Sequence, residues 1–298
     1  MNYSKYTKWP TFGFATPTAS RRRVVRKATR QLVFLFTLLA LLVFSGCRSS
    51  NRIPWPAATE RTYRGFRVVE EPGLSPQTVQ DTLDRAVDWR TEIEAAFFPA
   101  AAGHTIGLVI YATAQSYRSN AHFHLDTLAH YERAENRIHI TLKAPSGTWR
   151  HELAHALLEQ VRANSPYWLH EGLAFLVMES DLRGSLACSS RPVVRLPAML
   201  YPGLSALRAR EQLNTTAIFD ADQQTIYGSE ALLVSAYFTL FLWKRQLLGD
   251  TLRRYQQEPG SSFDMLMVGS NLTARAALIA DFEAWVRATD PAAAVPGC

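Results

Sequence analysis

The chain has 298 residues, 47% of them hydrophobic, which is enough for one large or two small domains with a substantial core. Its formal net charge is +6, but eight of the 32 Lys and Arg residues and none of the 26 acids lie in residues 1–46, so the remainder has 24 basic against 26 acidic residues, a net charge of −2. Nucleic-acid binding needs clustered positive charge, so no nucleic-acid partner is expected.

The first 46 residues have the pattern of a signal peptide. A basic segment precedes "LVFLFTLLALLVF" (residues 32–44), which is shorter than the roughly 20 apolar residues of a membrane-spanning helix and suits an export signal. The following "FSGC" (residues 44–47) resembles the box of bacterial lipoproteins. The resemblance implies lipid on Cys47 and a protein exported to the cell envelope, where this N-terminal anchor holds it on a membrane. A plain secretory signal and a retained signal anchor are the alternatives.

A predicted tether and a predicted α/β subdomain follow. Residues 47–60 are rich in Arg, Ser, Pro and Ala, as flexible tethers are, and residues 61–147 mix strand and helix patterns. Ser75 and Pro76 are typical of the N-cap and first position of a helix, so a helix is expected from there to residue 98. Strands are predicted at residues 61–71, 105–113 and 137–143.

Residues 148–290 are predicted to form a mainly helical subdomain, followed by a tail at residues 291–298. The most apolar segment, residues 231–243, contains Ser235 and Thr239 and is predicted to be a buried core helix instead of a membrane span. The predicted helices cover residues 148–162, 170–179, 204–213, 228–248, 250–258 and 274–288. The expected fold class is therefore α+β.

The segment "WRHELAHALLEQV" (residues 149–161) contains a His-Glu-x-x-His pattern. On a helix, His151 and His155 lie one turn apart on the same side, so both imidazoles can bind one metal ion. Glu152 lies one step around the helix, where it can reach a water bound to that metal. The alternative is an ordinary amphipathic helix whose polar side faces solvent.

A third ligand separates these alternatives, because catalytic zinc usually has three protein ligands. In "SPYWLHEGLAFLVMES" (residues 165–180), Glu171 follows His155 after 15 intervening residues. That length suffices to end the first helix, turn, and begin a second helix that brings the carboxylate back to the histidines. The metzincin continuation is absent, since Leu158 and Val161 stand where it has glycine and histidine.

Together, "RHELAHALL" and "PYWLHEGLAFL" resemble the gluzincin metallopeptidases, in particular their peptidase MA-like branch. The resemblance implies a zincin-like fold with the active-site helix between the two halves, and one Zn2+ held by His151, His155 and Glu171. It also implies hydrolysis of a peptide or protein substrate by a metal-activated water, with Glu152 as general base. The Gly-x-Met-Glu-Asn segment of aminopeptidase relatives does not occur in the sequence.

The resemblance also suggests a donor for the oxyanion. In related enzymes a tyrosine or histidine from a later helix has this role, and Tyr227 at the start of the predicted helix 228–248 is the candidate here. The alternative is a tyrosine packed at a helix entrance with its hydroxyl in solvent. His170 is either a second candidate or a residue at the rim of the site. Glu159 or Glu179 is expected to orient a histidine.

The remaining residues of chemical interest have weaker patterns. His122 and His124 are predicted to belong to a polar sheet face, with metal binding as the alternative, whereas His104, His130 and His139 are predicted to be isolated. Trp149 and Trp168 are expected to pack around the two motif helices. Cys188 and Cys298 form a disulfide or remain two free thiols.

Two other function classes remain open. One is a non-catalytic, zinc-stabilised envelope lipoprotein that binds a partner, and the other is a zinc amidohydrolase that acts on cell-wall peptides. An intact Glu152 favours an enzyme over a binding module, because binding alone does not need a general base. The sequence does not name the substrate or the oligomeric state.

Overall fold

The computed structural model of this protein describes residues 55, 58–101, 103–121, 127–182, 194, 196–210, 213, 215–227, 230–258, 261–268 and 272–289. Within these residues the fold is α+β, as the sequence predicts: a five-stranded mixed sheet precedes a mainly helical half. The predictions on the signal peptide and on Cys47, His122, His124, Cys188 and Cys298 lie outside the described residues.

The sheet has the strand order β1-β2-β3-β5-β4. Strands β2, β3 and β5 are parallel, whereas β1 and β4 pair antiparallel with β2 and β5 at the two edges. The strands are β1 (Arg61–Tyr63), β2 (Phe66–Glu70), β3 (Ile106–Tyr111), β4 (Ala129–Glu132) and β5 (Arg137–Thr141).

The single strand predicted at residues 61–71 is wrong, because this segment is the β1–β2 hairpin. Arg64 and Gly65 form its two-residue turn with φ of 42° and 87°, values that suit the right-handed twist of paired strands. A Cβ at position 65 would also lie 2.5 Å from Nη1 of Arg90. The turn therefore needs a glycine for both backbone conformation and space.

The helix predicted from Ser75 is confirmed as α1 (Pro76–Phe97), with the hydroxyl of Ser75 accepting a hydrogen bond from the N–H of Thr78. Arg90 of this helix is buried. Its guanidinium donates to the carbonyls of Gly65 at 2.8 Å and His104 at 2.7 Å, and to the Glu94 carboxylate at 2.6 Å. Arg90 thereby fixes α1 to the hairpin and to the loop that enters β3.

Several helix boundaries differ from the predicted ones. The range predicted as one helix at residues 228–248 is divided, because one helix ends at Lys244 and a left-handed Gln246 (φ 61°) separates it from the next. The short helix Ala114–Asn120 and the edge strand β4 were missed, because neither is long enough for a clear period. The helices after α1 are α2 (Ala114–Asn120), α3 (Ser146–Val161), α4 (Tyr167–Met178), α5 (Tyr201–Arg208), α6 (Gln223–Tyr227), α7 (Ala231–Lys244), α8 (Leu247–Gln257), α9 (Phe263–Val268) and α10 (Leu272–Ala288).

Helix α7 is the buried core helix that its sequence predicts. Its serine and threonine hydroxyls need no partner outside the helix, because Ser235 donates to the carbonyl of Ala231 at 2.7 Å and Thr239 to that of Ser235 at 2.9 Å. Among the described residues, no helix is long and apolar enough to cross a membrane.

Trp149 and Trp168 are both buried, which confirms that they pack around the motif helices. The Trp168 ring makes T-shaped contacts with Phe219, Phe238 and Phe263 at centroid distances of 5.4–5.6 Å. Offset and edge contacts of this kind stabilise aromatic clusters beyond the area that they bury. The cluster fixes the first turn of α4, three residues before Glu171.

Helix α4 packs between α3 and α7, and its contact with α7 is very close at Gly172. A Cβ at this position would overlap Oγ1 of Thr239 and lie 2.8 Å from the carbonyl oxygen of Ser235. Only glycine allows the two backbones to approach this far. The glycine beside Glu171 thus sets the depth at which this carboxylate enters the site.

We predict that Gly172→Ala lowers the free energy of unfolding by about 2 kcal/mol, because a clash this close takes the upper end, about 3 kcal/mol, of the cost of overpacking, and alanine returns about 0.5–1 kcal/mol of helix propensity. The matched control is Gly249→Ala in α8, where an added Cβ meets nothing within 4 Å. This control is expected to raise the free energy of unfolding. Chemical denaturation of both variants tests the contact, and equal effects at the two positions would contradict it.

Candidate metal centre

Helix α3 places the two motif histidines in a buried environment. It packs on α4, on α1 and on strands β4 and β5, so that the polar side of the helix is covered as well as the apolar side. Glu152 and His155 are each only 7% exposed. The alternative of an amphipathic helix with a solvent-facing polar side is therefore wrong.

Helix α4 brings Glu171 to the histidine pair, as predicted. Nε2 of His155 lies 3.1 Å from Nε2 of His151 and 3.5 Å from Oε1 of Glu171, and Nε2 of His151 lies 3.8 Å from Oε2 of Glu171. Atoms that bind zinc tetrahedrally at about 2.0–2.1 Å are roughly 3.3 Å apart, which is close to this spacing. The three side chains form a buried group that could hold a metal ion.

Burial shifts the pKa of each ionisable group at the centre toward its neutral form. It lowers the pKa of His151 to about 4 and that of His155 well below its usual range. It raises the pKa of Glu171 to about 7, although the Tyr227 hydroxyl opposes this shift. Neutral imidazoles are the form that binds metals, and a divalent cation would reverse the shift of the carboxylate.

Glu152 stands beside the proposed ligands and not among them. Burial raises its pKa to about 8, and the neighbouring Glu171 carboxylate adds to this shift, while the backbone N–H of Tyr131 in β4 opposes it. Its carboxylate reaches a cleft of about 300 Å3. The cleft is lined by Thr127, Ala129, His130, Tyr131, Glu132, Arg133, His151, Glu152, His155, Tyr167, His170, Glu171 and Tyr227.

Tyr227 lies in the cleft, but it does not stand at the start of the long helix as predicted. The residue ends the short helix α6, and α7 begins at Ala231. Its hydroxyl donates to Oε1 of Glu171 at 2.6 Å, while the residue remains 44% exposed. The structure therefore contradicts the alternative of a hydroxyl exposed only to solvent.

His170 is not a rim residue, because it is only 3% exposed. Its Nδ1 lies 3.4 Å from Nδ1 of His155, and its Nε2 lies 3.3 Å from Oε2 of Glu159. Of the two carboxylates expected to orient a histidine, Glu159 thus reaches His170, which itself contacts the proposed ligand. Sequence reasoning missed Arg133, whose Nη2 donates to Nε2 of His170 at 2.7 Å.

The prediction that His130 and His139 are isolated is wrong. They are direct partners across β4 and β5, so their rings stack with centroids 4.8 Å apart and planes at 9°. The Tyr117 hydroxyl lies 2.7 Å from Nδ1 of His130, and the Tyr111 hydroxyl lies 2.9 Å from Nδ1 of His139. Strand register creates this cluster, and no sequence spacing indicates it.

Comparison with protein-family models and with curated proteins found no match to this chain. The family resemblance therefore rests on the two sequence motifs, and the geometry of the site supports a metal-binding interpretation independently of it.

We predict that, in the presence of a chelator, Glu152→Gln is more stable than wild type at pH 8 and that this difference is absent at pH 4.5. The pKa of Glu152 is higher in the folded state than its ordinary 4.5, so its stabilising, protonated form is fully present below about pH 4.5 and is lost as pH rises toward about 8. The variant avoids this loss. The difference between the two pKa values sets the upper limit of this stabilisation, since each tenfold change in proton affinity corresponds to roughly 1.4 kcal/mol.

Thermal unfolding of wild type and variant across this pH range measures the effect. Glu258→Gln, at a partly exposed carboxyl that pairs with Arg254 near the end of α8, is the matched control. If the stability curves of Glu152→Gln and wild type stay parallel from pH 4.5 to 8, the raised pKa is wrong.

Proposed function

We propose that this protein is a zinc-dependent peptidase of the gluzincin type that hydrolyses peptide bonds. One observation carries the proposal: a buried carboxylate, Glu152, lies beside a buried group of two histidines and a glutamate at the wall of a cleft. Ionised side chains are costly to bury without a partner, so such a cluster indicates a functional site.

The donor set fits zinc. Two neutral imidazoles and one carboxylate, provided by His151, His155 and Glu171, are a common protein ligand set of catalytic zinc. When bound, zinc polarises a carbonyl and lowers the pKa of water. The cleft gives a substrate access to the same group of residues.

Glu152 is suited to move a proton during the reaction. Burial raises the pKa of its carboxyl to about 8 without metal, and a bound divalent cation would lower it, so the carboxylate form that a general base needs would be present at neutral pH. Its carboxylate takes a proton from the attacking water and gives it to the departing amide nitrogen. The amide N–H of Tyr131 holds this carboxylate in place from the edge of the sheet.

Tyr227 is proposed to stabilise the oxyanion that forms on the substrate. Its hydroxyl is at the cleft surface and donates to a ligand carboxylate, so a small movement of the exposed ring redirects the same O–H toward a substrate oxygen. Donors aimed at a developing oxyanion are among the largest contributors to acyl-transfer catalysis.

The proposal extends to the architecture and the compartment. Helix α3 lies between the sheet and the helical half with β4 bordering the cleft, which is consistent with a zincin-like arrangement. Export and lipid attachment at Cys47 would place the cleft in the cell envelope, where peptides of the cell wall are available as substrates together with proteins.

We predict that the purified protein binds about one zinc and that Glu152→Gln retains the metal but loses cleavage, because the general base contributes typically 10²–10⁴-fold. The assay uses a quenched-fluorescence peptide library in one arm and purified peptidoglycan fragments in the other. Glu258→Gln is the matched control and is expected to cleave as wild type does.

Each outcome decides between the function classes. Cleavage of library peptides supports a peptidase, whereas cleavage of peptidoglycan fragments alone replaces it with an amidohydrolase. Zinc binding without cleavage in either arm favours the binding lipoprotein. Absence of zinc from protein prepared at neutral pH without chelator contradicts the metal site itself.

We predict that Tyr227→Phe lowers kcat by about 100-fold with little change in KM, because removing one oxyanion donor has an effect of this size. The measurement is made at saturating zinc, since the hydroxyl also contacts Glu171. Tyr167→Phe, in the same cleft, is the control. An unchanged kcat would show that the Tyr227 hydroxyl only positions Glu171.

A further inference from the structure

His170 lies between a proposed metal ligand and an ion pair. One ring nitrogen, Nδ1, faces Nδ1 of His155 at 3.4 Å. The other, Nε2, faces two groups of opposite character: Nη2 of Arg133 at 2.7 Å and Oε2 of Glu159 at 3.3 Å. Arg133 and Glu159 are themselves paired, with Nε 3.1 Å from Oε2.

The two partners of Nε2 demand different tautomers of a neutral His170. A guanidinium can only donate a hydrogen bond, so next to Arg133 the nitrogen must be an acceptor, and the ring proton is on Nδ1. An ionised carboxylate can only accept, so next to Glu159 the nitrogen must carry the proton, and Nδ1 becomes an acceptor. A single ring nitrogen cannot satisfy both at once.

The tautomer of His170 determines the tautomer of His155. When Nδ1 of His170 carries the proton, it donates to Nδ1 of His155, whose own proton is then on Nε2. That proton blocks Nε2, the atom nearest His151 and Glu171. When Nδ1 of His170 is an acceptor, His155 donates to it from Nδ1, and the lone pair of its Nε2 is open to a metal.

The described contacts allow either ring to donate the hydrogen bond between His170 and His155. The hydrogen bond from Arg133 at 2.7 Å favours donation from His170 to His155. For donation in the opposite direction, Oε2 of Glu159 is buried and its ion pair with Nε of Arg133 does not have hydrogen-bond geometry. This oxygen lies within reach of Nε2 of His170 as an acceptor.

We propose that His170 is a positioning residue that sets the tautomer of His155, with Glu159 favouring the metal-binding form and Arg133 favouring the form that cannot bind. The proposal rests on the proposed zinc site. The exchange between the two forms removes one proton from Nε2 of His155 and adds one to Nε2 of His170, while another shifts from Nδ1 of His170 to Nδ1 of His155. Both rings stay neutral throughout, so the total number of protons is unchanged.

The sharpest test uses opposite substitutions of the ion pair in the full chain, Glu159→Met and Arg133→Met. Zinc affinity is measured by competition with a chromophoric chelator. We expect Glu159→Met to weaken zinc binding by about 10–100-fold, the usual effect of losing an outer partner of a metal-bound histidine. Arg133→Met should bind zinc as tightly as wild type or more tightly, because it removes only the competing donor.

A second pair of variants tests His170 itself. In His170→Asn, the amide oxygen stands near the position of Nδ1 and can accept from His155, whereas His170→Leu removes the acceptor. We therefore expect His170→Leu to lose about 10–100-fold in zinc affinity and His170→Asn to recover most of it. Thermal unfolding in chelator identifies any variant that loses affinity merely because it is unfolded.

The tautomer can be observed directly by long-range ¹H–¹⁵N NMR of histidine-labelled protein, with the His170 signals assigned by their loss in His170→Asn. We expect the Nδ1–H tautomer of His170 in chelator and the Nε2–H tautomer after addition of Zn2+. The same tautomer under both conditions overturns the proposal.

The outcomes separate this proposal from the proposed function. A wild-type protein that binds no zinc overturns both. A wild-type protein that binds zinc, with Arg133→Met weakened as much as Glu159→Met or with His170→Leu unaffected, overturns only the role of His170.

Discussion

The burial of ionisable groups at the junction of α3, α4 and β4 is the constraint on which the rest of the structure depends. His151, Glu152, His155 and Glu171 all have pKa values shifted toward the neutral form by desolvation. A fold accepts such a cost only where packing leaves the groups no other position. Here the packing is provided by the contact of α4 with α7, which depends on the absence of a side chain at residue 172. The burial of these ionisable groups therefore depends on the same close contact of α4 with α7.

Two outer contacts support the proposed ligands from opposite sides. Tyr227 donates to the carboxylate of Glu171 from the solvent side, and His170 contacts the imidazole of His155 from the protein interior. The first contact comes from a partly exposed tyrosine at the cleft, whereas the second is buried and connected to an ion pair. The Tyr227 contact is therefore suited to interact with a substrate, whereas the His170 contact is suited to hold a ligand imidazole in place.

The parts of the site that follow from local sequence were predictable. Helical spacing places His151 and His155 on one side, and the length of the connection to Glu171 allows the second helix to return. Arg133 was not predictable, because its contact with His170 spans 37 residues and depends on where the edge strand ends. The stack of His130 on His139 likewise depends on strand register, and the break after Lys244 depends on a left-handed backbone at a glutamine. Such features arise from tertiary packing, which no local period records.

The hydrogen bond from the Tyr131 amide to Glu152 also affects the sheet. Strand β4 is an edge strand, and Tyr131 is opposite Ile138 of β5, in the position whose N–H faces away from the sheet. Exposed edges of this kind invite pairing with a strand of another molecule, and natural proteins block them with charged groups. Glu152 occupies one of the few donors that β4 offers to its surroundings. The residue proposed to activate water therefore also satisfies a backbone donor at the edge of the sheet.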